Sequence, residues 1–462
     1  MKGIRYCVFF LMLLVALLSS SFASAGSGGP TRIDLPNGLR LVLKEYRQIP
    51  VAHFLLLVPG GASQEGAEKA GLAALTADVM LKGTEGRDVQ QISERIDFLG
   101  GSLSSGANDD YCSLSLEVLS KDIDKGLDLF LDCLLHPTFP QEELERQRAQ
   151  ALAALSQANE DPATIIGKRF RSLLYQDHPY GHPLVGTRQS LASISREEVE
   201  AYYHRFFVPN QAILVAVGDF EATEIADKLK DLFSSWPKGE DLDFPLPAPQ
   251  ALRGRRVVLI DKPDITQANI LMGNIGVPRN TPRLFPLALA NGVLGRMGFS
   301  SRLLDQIRAN LGLTYHIDSG FSMGKAAGPF LIETSTKNET AGKAIAAILE
   351  QLRIFREQGL SPEELAKVKT YKKGIYYIAL QTPSALVSQL ADIEFYNLPR
   401  DYIDTYQERV DAVTQEEANA AARELFPYED LLILILGKAE EIEGQLAGLN
   451  LGPLSIERFQ PE

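Results

Sequence analysis

The chain of 462 residues is acidic, with 59 Asp and Glu against 46 Lys and Arg and a formal net charge of -13. Phosphate backbones bind basic surfaces, so this balance excludes nucleic acid as a partner and instead favours solubility. The length exceeds the roughly 100–200 residues of a single domain and predicts at least two domains.

Residues 1–25 have the pattern of a secretory signal peptide. Lys2 and Arg5 give a short basic start, an apolar run follows over residues 7–18, and residues 23–25 form an A-x-A cleavage site. The apolar run is shorter than the ~20 residues that a membrane span needs. We therefore expect cleavage, export to the periplasm or the exterior, and no stable membrane span afterwards.

Cleavage would leave two cysteines, Cys112 and Cys133. It would also remove Lys2 and Arg5, so that 44 of the 46 basic residues remain against 59 acidic ones and the net charge becomes -15. An oxidising compartment permits a disulfide between the two cysteines. Cys112 lies in a strand-like run and Cys133 in a helix-like run, and the sequence leaves both a bridge and two buried free thiols open.

An internal repeat divides the mature chain into two halves. Three segments of the first half recur in the second at offsets of 219 to 221 residues: FPQEELERQRAQALAAL with LSPEELAKVKTYKKGIY, ISREEVEAYYHRFF with VTQEEANAAARELF, and AILVAVGDF with LLILILGKA. The near-constant offset predicts two domains of one fold, over residues 31–236 and 256–450. Residues 237–255 are rich in proline and lack apolar periodicity, which predicts an extended linker.

Local patterns predict both helices and strands in each half. Ser195, Ser361 and Thr414 each stand three residues before a Glu, which is a capping box at the start of a helix. An amphipathic run after Asp122 predicts a further helix, which Pro137 stops. Strands are predicted for RLVLKEY, HFLLLVPGG, YCSLSLEVL, PFLIETST and the two repeat segments AILVAVGDF and LLILILGKA. The predicted fold class is α+β, with each half an α/β sandwich that layers helices on one face of a sheet.

Residues 70–84, AGLAALTADVMLKGT, resemble the zinc-binding helix of the pitrilysin/insulinase family of zinc peptidases. In the short bacterial and mitochondrial-processing type of this family, the helix reads roughly G-L-A-H-F-L-E-H-M-x-F-K-G-T. Further family-like segments follow in order: LGGSLSSGANDDY, HPYGHPLVGT, FFVPNQAILVAVGD and GFSSRLLDQIRANLGLTY. The resemblance covers nearly the whole mature chain, and it implies two homologous metallohydrolase-like domains that face each other like a clam shell.

The side chains that would bind zinc are replaced. H-x-x-E-H places two histidines on one helical face with a general base between them, and catalytic zinc needs three protein ligands and a water. In this register Ala74 and Asp78 occupy the histidine positions and Ala77 the glutamate position. The stretch that matches the family's third ligand, residues 148–162, has apolar side chains there: Ala153, Ala154 and Leu155. We expect no metal and no cofactor in this chain.

The remaining histidines offer no replacement in the sequence. His178 and His182 are separated by Pro179, Tyr180 and Gly181, so they are not a pair on one helical face. Loop histidines without a third ligand are usually structural, and we predict that role for both.

The second half keeps a pair that the resemblance connects with catalysis. Members of the family carry an Arg and a Tyr seven residues apart that point at the zinc-bound peptide carbonyl, and Arg308 and Tyr315 have this spacing. A guanidinium and a phenol O–H aimed at that oxygen stabilise the charge of a tetrahedral intermediate. From the residues alone, Arg308 is equally well explained as a solvated helix residue, and Tyr315 as a strand residue that packs in the core. The adjoining segment GRMGFSSR matches a glycine-rich loop of the family, with Arg296 and Phe299 at positions that are often small.

In heterodimeric members one subunit carries the zinc motif and its partner carries the Arg/Tyr pair. The sequence therefore predicts an exported non-catalytic subunit that pairs with a zinc-bearing subunit and supplies Arg308 and Tyr315 in trans. Extended or unfolded peptides could add as a strand to a sheet edge, for which the candidates are Gly100, Gly101, Ser102, Leu103 and Ser104. One alternative is a purely structural subunit with the peptidase fold. An active peptidase with an altered site is disfavoured by the lost motif.

Overall fold

The structure is a computed structural model that describes residues 29–461, so the predicted signal peptide lies outside the described residues. Each half is built on a six-stranded sheet. The strands of the first half are β1 Thr31–Asp34, β2 Arg40–Glu45, β3 Val51–Pro59, β4 Ser102–Ala107, β5 Tyr111–Leu119 and β6 Ile213–Gly218. Those of the second half are β7 Arg256–Asp261, β8 Gln267–Ile275, β9 Ile317–Phe321, β10 Pro329–Lys337, β11 Leu432–Gly437 and β12 Leu454–Arg458.

Helices connect these strands. The first half has α1 Leu72–Met80, α2 Val89–Phe98, α3 Ile123–Leu135, α4 Gln141–Ala158, α5 Pro162–Tyr175, α6 Arg188–Ser193, α7 Arg196–Phe206 and α8 Ala222–Leu232. The second has α9 Leu284–Asn291, α10 Ala341–Gln358, α11 Pro362–Ala379, α12 Pro383–Phe395, α13 Tyr406–Ala412, α14 Gln415–Leu425 and α15 Ala439–Leu446. Two π-helical segments follow α9, at Gly292–Arg296 and Leu304–Asn310. Within residues 29–461, no helix is both long and apolar enough to cross a bilayer.

The predicted capping boxes start three of these helices. At α7 the Glu198 N–H donates to the Ser195 hydroxyl, and the Ser195 N–H donates to the Glu198 carboxylate at 2.8 Å. The same reciprocal pair begins α11 at Ser361 and α14 at Thr414. These helix starts are set by local chemistry, because each box pairs two backbone N–H groups that the helix itself leaves free.

The two sheets share one topology in five of their six strands. Their orders are β1-β2-β6-β3-β5-β4 and β12-β7-β11-β8-β10-β9, and the parallel pair β2–β6 corresponds to the parallel pair β7–β11. The predicted pair of homologous α/β domains is thus confirmed. The sixth strands differ: β1 precedes its neighbour and runs antiparallel to it, whereas β12 comes from the end of the chain and runs parallel to β7.

Each half lends one helix to the other. The prediction placed helices on one face of each sheet, and the own-half helices do pack there. The opposite face of the first sheet is covered by α12 of the second half, and α5 of the first half covers the opposite face of the second sheet. The prediction of one covered face was therefore incomplete, because the repeat does not reveal which sheet a helix packs against.

Ion pairs fix both exchanged helices at the outer strands. Glu394 of α12 is buried and accepts from Arg32 of β1, and Arg40 lies 3.7 Å from its other carboxylate oxygen. In the other direction, Arg169 of α5 donates to both carboxylate oxygens of Glu457 in β12, at 2.6 and 2.8 Å. The two unlike edge strands thus perform one task, which is to hold the helix that the other half provides.

A buried carboxylate joins the halves at their centre. Asp110 is 5% exposed, and it accepts from the hydroxyls of Tyr180 and Tyr396 and from the backbone N–H of Lys325. Tyr180 belongs to the first half and the other two donors belong to the second. The Tyr180 oxygen also accepts from the Ala326 N–H at 3.2 Å. Both halves therefore depend on one acidic side chain for several buried hydrogen bonds.

Residues 237–255 run between the halves without regular secondary structure in this described stretch. The segment is tied to the first half: the Gln211 side chain donates to the Leu242 carbonyl oxygen at 2.6 Å, and His178 Nε2 lies 2.8 Å from the Pro247 carbonyl oxygen. The connection follows a defined path over the surface.

Candidate functional site

Helix α1 begins with a tight glycine turn and a buried carboxylate that caps its first N–H groups. It follows Gly71, whose φ of 93° lies in the left-handed region, and a Cβ there would come 2.9 Å from the Gly186 Cα atom. The buried Glu65 carboxylate accepts from the N–H groups of Gly71 and Ala73, both at 2.8 Å. These contacts satisfy helix-start donors that would otherwise be unpaired.

The motif positions on α1 contain no metal-binding set. Ala74 is half-buried, Ala77 is fully buried and Asp78 is exposed. Ala77 contributes through its backbone, since its carbonyl oxygen accepts from the Ser105 hydroxyl of β4 at 2.6 Å. On α4, where a third ligand would lie, Ala153 and Ala154 are exposed and Leu155 is buried. Within residues 29–461, the group of metal-ligating side chains that come close together lies elsewhere, away from α1 and α4.

Glu65 was not singled out from the sequence, because nothing local shows that residue 65 returns to cap a helix that starts at residue 72. Burial raises the pKa of Glu65 to about 7, although the two N–H donors act in the opposite direction. Desolvation disfavours the charged carboxylate and here outweighs the hydrogen bonds to it.

The raised pKa of Glu65 predicts a specific pH dependence of stability. An unfolded Glu titrates at about 4.3, so between this pH and about 7 the folded chain holds a proton that the unfolded chain has released. Its contribution to the free energy of unfolding is fully present below pH ~4.3 and declines up to pH ~7. Chemical denaturation across this range should show that the free energy of unfolding of wild type declines relative to that of Glu65→Gln. Parallel pH profiles would contradict the assignment.

Strand β4 forms the edge of the first sheet. Within residues 29–461 it pairs with β5 alone, with Leu103 opposite Leu116 and Ser104 opposite Ser115. Ser102 and Ser104 are exposed. The position of Gly101, just before the strand, has no room for a side chain, because a Cβ would lie 2.5 Å from the Glu117 carbonyl oxygen. The predicted peptide-binding residues thus lie at a sheet edge whose backbone groups point outwards, beside α1.

Arg308 and Tyr315 are brought together on the second half. Arg308 lies in the π-helical segment Leu304–Asn310, and Tyr315 lies in a bend two residues before β9. The Arg308 guanidinium carbon is 5.0 Å from the Tyr315 ring centroid, and Tyr315 is 84% exposed. The lining residues of their cavity of about 420 Å³ all fall between positions 295 and 318. The degenerate motif positions on α1 are therefore not part of this cavity.

The two large residues of the glycine-rich loop have structural partners. The centroid of the Phe299 ring lies 4.7 Å from the Arg308 guanidinium carbon, and Phe299 is 76% exposed. Arg296 forms an ion pair with Asp318. Gly295 is required by its surroundings, because a Cβ would come 2.4 Å from the Ser319 hydroxyl oxygen of β9. Phe299 thus gives the Arg308 guanidinium a second aromatic contact beside Tyr315.

Two further predicted groups take structural positions. Tyr180 N–H donates to His178 Nδ1 at 3.0 Å, so both ring nitrogens of His178 are engaged in the loop and linker. Cys112 and Cys133 are free and buried within the described chain. Burial raises the pKa of each thiol to about 12, which leaves neither as a reactive thiolate.

Two models of one peptidase family match the chain. The model described as insulinase, peptidase family M16, matches residues 40–188, and the model described as the peptidase M16 inactive domain matches residues 193–372. The chain belongs to peptidase family M16, the pitrilysin/insulinase family. The family predicted from the sequence is thereby confirmed.

Relatives in bacteria extend over most of this M16 chain. An uncharacterized zinc protease of Mycobacterium leprae is 26% identical over 404 residues, which are 87% of this chain and 90% of that protein. One from Bacillus subtilis is 25% identical over 404 residues, 87% of this chain and 97% of that protein. A crystal structure of a peptidase M16 inactive domain from Pseudomonas fluorescens has a TM-score of 0.83 at 26% identity, covering 88% of this chain and 98% of that one. A protease from Helicobacter pylori shares the fold, with a TM-score of 0.80 at 20% identity over 88% of this chain and 99% of that one.

Within the M16 family, this chain combines a retained scaffold with altered motif positions. The helix, its capping glutamate and the neighbouring edge strand are all in place, while Ala74, Ala77 and Asp78 supply a single carboxylate. A lone carboxylate falls short of the three protein ligands that catalytic zinc requires. The chain is therefore a non-catalytic type of M16 member.

Proposed function

We propose that this chain is the exported, zinc-free subunit of a heterodimeric M16 peptidase, in which a partner of the same family carries the zinc motif. In the assembled enzyme this subunit completes the peptide chamber and supplies Arg308 and Tyr315. The observation that carries the proposal is the cavity around this pair. It is open, its Tyr315 is 84% exposed, and its lining comes from the second half alone.

The proposed role of the pair is electrostatic. Attack on a zinc-bound peptide carbonyl places negative charge on its oxygen, and a guanidinium and a phenol O–H stabilise that charge when they are positioned in advance. Arg308 contacts two aromatic rings, those of Phe299 and Tyr315, which favours a defined position of its guanidinium before substrate arrives. Zinc, held by the partner, would polarise the carbonyl; this chain would contribute the two donors.

Peptide binding is proposed at β4. A strand edge with free backbone groups can accept an extended peptide as an additional strand, and this mode is sequence-tolerant because main-chain hydrogen bonds provide the affinity. The exposed side chains of Ser102 and Ser104 are small, which leaves room for substrate side chains. Export, to the periplasm or beyond, is proposed from the pattern of residues 1–25.

The altered motif predicts that the purified chain binds no stoichiometric zinc and cleaves no peptide by itself. The reason is that Ala74 and Ala77 have no ligand atoms and Asp78 has one carboxylate. Metal analysis and peptidase assays of the isolated chain, and of the chain mixed with a zinc-bearing M16 partner, test this. Zinc should appear with the partner only. One tightly held zinc per isolated chain, lost in Asp78→Ala, would overturn the proposal.

A structural subunit without a catalytic role is the second candidate. The observation in its favour is the contact of Arg308 with the rings of Phe299 and Tyr315, since such cation–π contacts also serve as packing. Both proposed roles predict the same assembly with a partner. They differ in the peptide turnover expected when Arg308 or Tyr315 is substituted.

A further inference from the structure

A second group of chemically capable side chains lies beside Tyr315. His316 follows Tyr315 directly, Asp318 lies on β9, and Glu333 lies on β10. Asp318 and Glu333 are partners in the antiparallel register of these strands. Side chains two residues apart on an extended segment share a face, which puts His316 on the same side as Asp318. One imidazole and two carboxylates are thus presented together.

The spacing of this group suits an ion between its members. One ligand atom from each of the three side chains lies within 4.8 Å of the others. Ligands on opposite sides of a metal ion, with bonds of about 2.1 Å, are about 4.2 Å apart. No hydrogen bond to the His316 imidazole is formed within residues 29–461. A small closure of the side chains would bring all three onto one ion.

The charges of the cluster are poorly compensated inside the strand pair. Like charges directly opposite on neighbouring strands repel each other. The cation in contact is Arg296, which pairs with Asp318 and whose side chain is 58% exposed. An exposed arginine can withdraw to solvent, so Arg296 is a competitor that an ion can displace.

We propose that His316, Asp318 and Glu333 form a binding site for a divalent transition-metal ion such as Mn²⁺, separate from the degenerate zinc motif. Mixed imidazole and carboxylate ligands suit such ions, and open positions on the ion would be filled by water. His316 and Glu333 are exposed, so the ion exchanges readily and is lost on purification without added metal. Because His316 adjoins Tyr315, the ion would also fix the loop that carries Tyr315. This inference does not depend on the proposed peptidase role.

The test is a titration of the mature chain with Mn²⁺, in which electron paramagnetic resonance measures the concentration of free ion at each step. Wild type should show one saturable site. Glu333→Gln and His316→Ala should each weaken binding at least about tenfold, since even groups that only support metal ligands change affinity about 10–100-fold. Glu339→Gln, which removes an exposed carboxylate outside the cluster, should bind as wild type does. Circular dichroism confirms that each variant is folded.

Arg296→Gln gives an opposite expectation. Removing the competing guanidinium from Asp318 should tighten Mn²⁺ binding. The proposal is overturned if wild type shows no saturable site up to about 1 mM, the weak end of the affinities of protein Ca²⁺ sites. It is equally overturned if the ligand variants bind as tightly as Glu339→Gln.

Discussion

Peptide turnover by the assembled heterodimer should fall about 10²–10³-fold when Tyr315 is replaced with Phe, the usual loss for one donor to a developing oxyanion. The substitution removes one O–H and keeps the ring, so the stacking on Arg308 remains. Folding and association with the partner should be almost unchanged. Arg308→Ala should lower turnover as well, because it removes the second donor.

The measurement separates chemistry from assembly. Turnover is assayed with saturating partner, and complex formation is measured independently by size-exclusion chromatography or calorimetry. Tyr377→Phe is the matched control, since it makes the same chemical change at an exposed tyrosine of α11, outside the cavity. If the Tyr315→Phe and Arg308→Ala complexes turn over peptide at the wild-type rate, only the structural-subunit role remains.

Asp110→Ala should lower the free energy of unfolding by about 3 kcal/mol, which is the second large effect expected. Asp110 is buried and accepts from the two hydroxyls of Tyr180 and Tyr396 and from the Lys325 N–H. Hydrogen bonds to a charged acceptor contribute about 1.5–3 kcal/mol each, and buried donors left without a partner are costly. Since the donors belong to different halves, the loss should also weaken their cooperative unfolding.

Two variants calibrate this result. Tyr396→Phe removes a single donor and should cost about 1.5 kcal/mol, the low end for a hydrogen bond to a charged acceptor. Asp109→Ala is the neighbouring control: its carboxylate pairs with Arg171 and is 27% exposed, so a smaller loss is expected. Differential scanning calorimetry of all three variants reports both stability and cooperativity. An Asp110→Ala chain as stable as Asp109→Ala would show that the junction does not depend on this carboxylate.

Both predictions concern residues whose importance depends on contacts between distant parts of the chain. Asp110 and Tyr180 lie in segments that the sequence singled out as family-like, but no local pattern joins them. Arg308 and Tyr315 were found through the resemblance to the family, whose members carry such a pair. The contact of Arg308 with Phe299 was not foreseen, because the sequence showed only that Phe299 occupies a position of the glycine-rich loop that is often small.

The sequence by itself determined the features that depend on neighbours along the chain. Capping boxes at Ser195, Ser361 and Thr414 set helix starts, apolar runs set six of the strands, and the repeat set two α/β domains. The identities of Ala74, Ala77 and Asp78 were enough to predict that α1 holds no catalytic zinc, since ligand atoms cannot be supplied by packing. These properties depend on local sequence or on side-chain chemistry, and they can therefore be predicted without knowledge of the fold.

Only the tertiary structure decided which elements from different parts of the chain meet. In the structure, α5 and α12 each pack on the sheet of the other half, and the sixth strand of the second sheet is β12. The Glu65 carboxylate caps the start of α1. The tertiary structure also placed Glu333 opposite Asp318, next to His316. The physical reason is that burial and cross-strand register bring together residues far apart in sequence, and their free energies depend on contacts that no local pattern encodes.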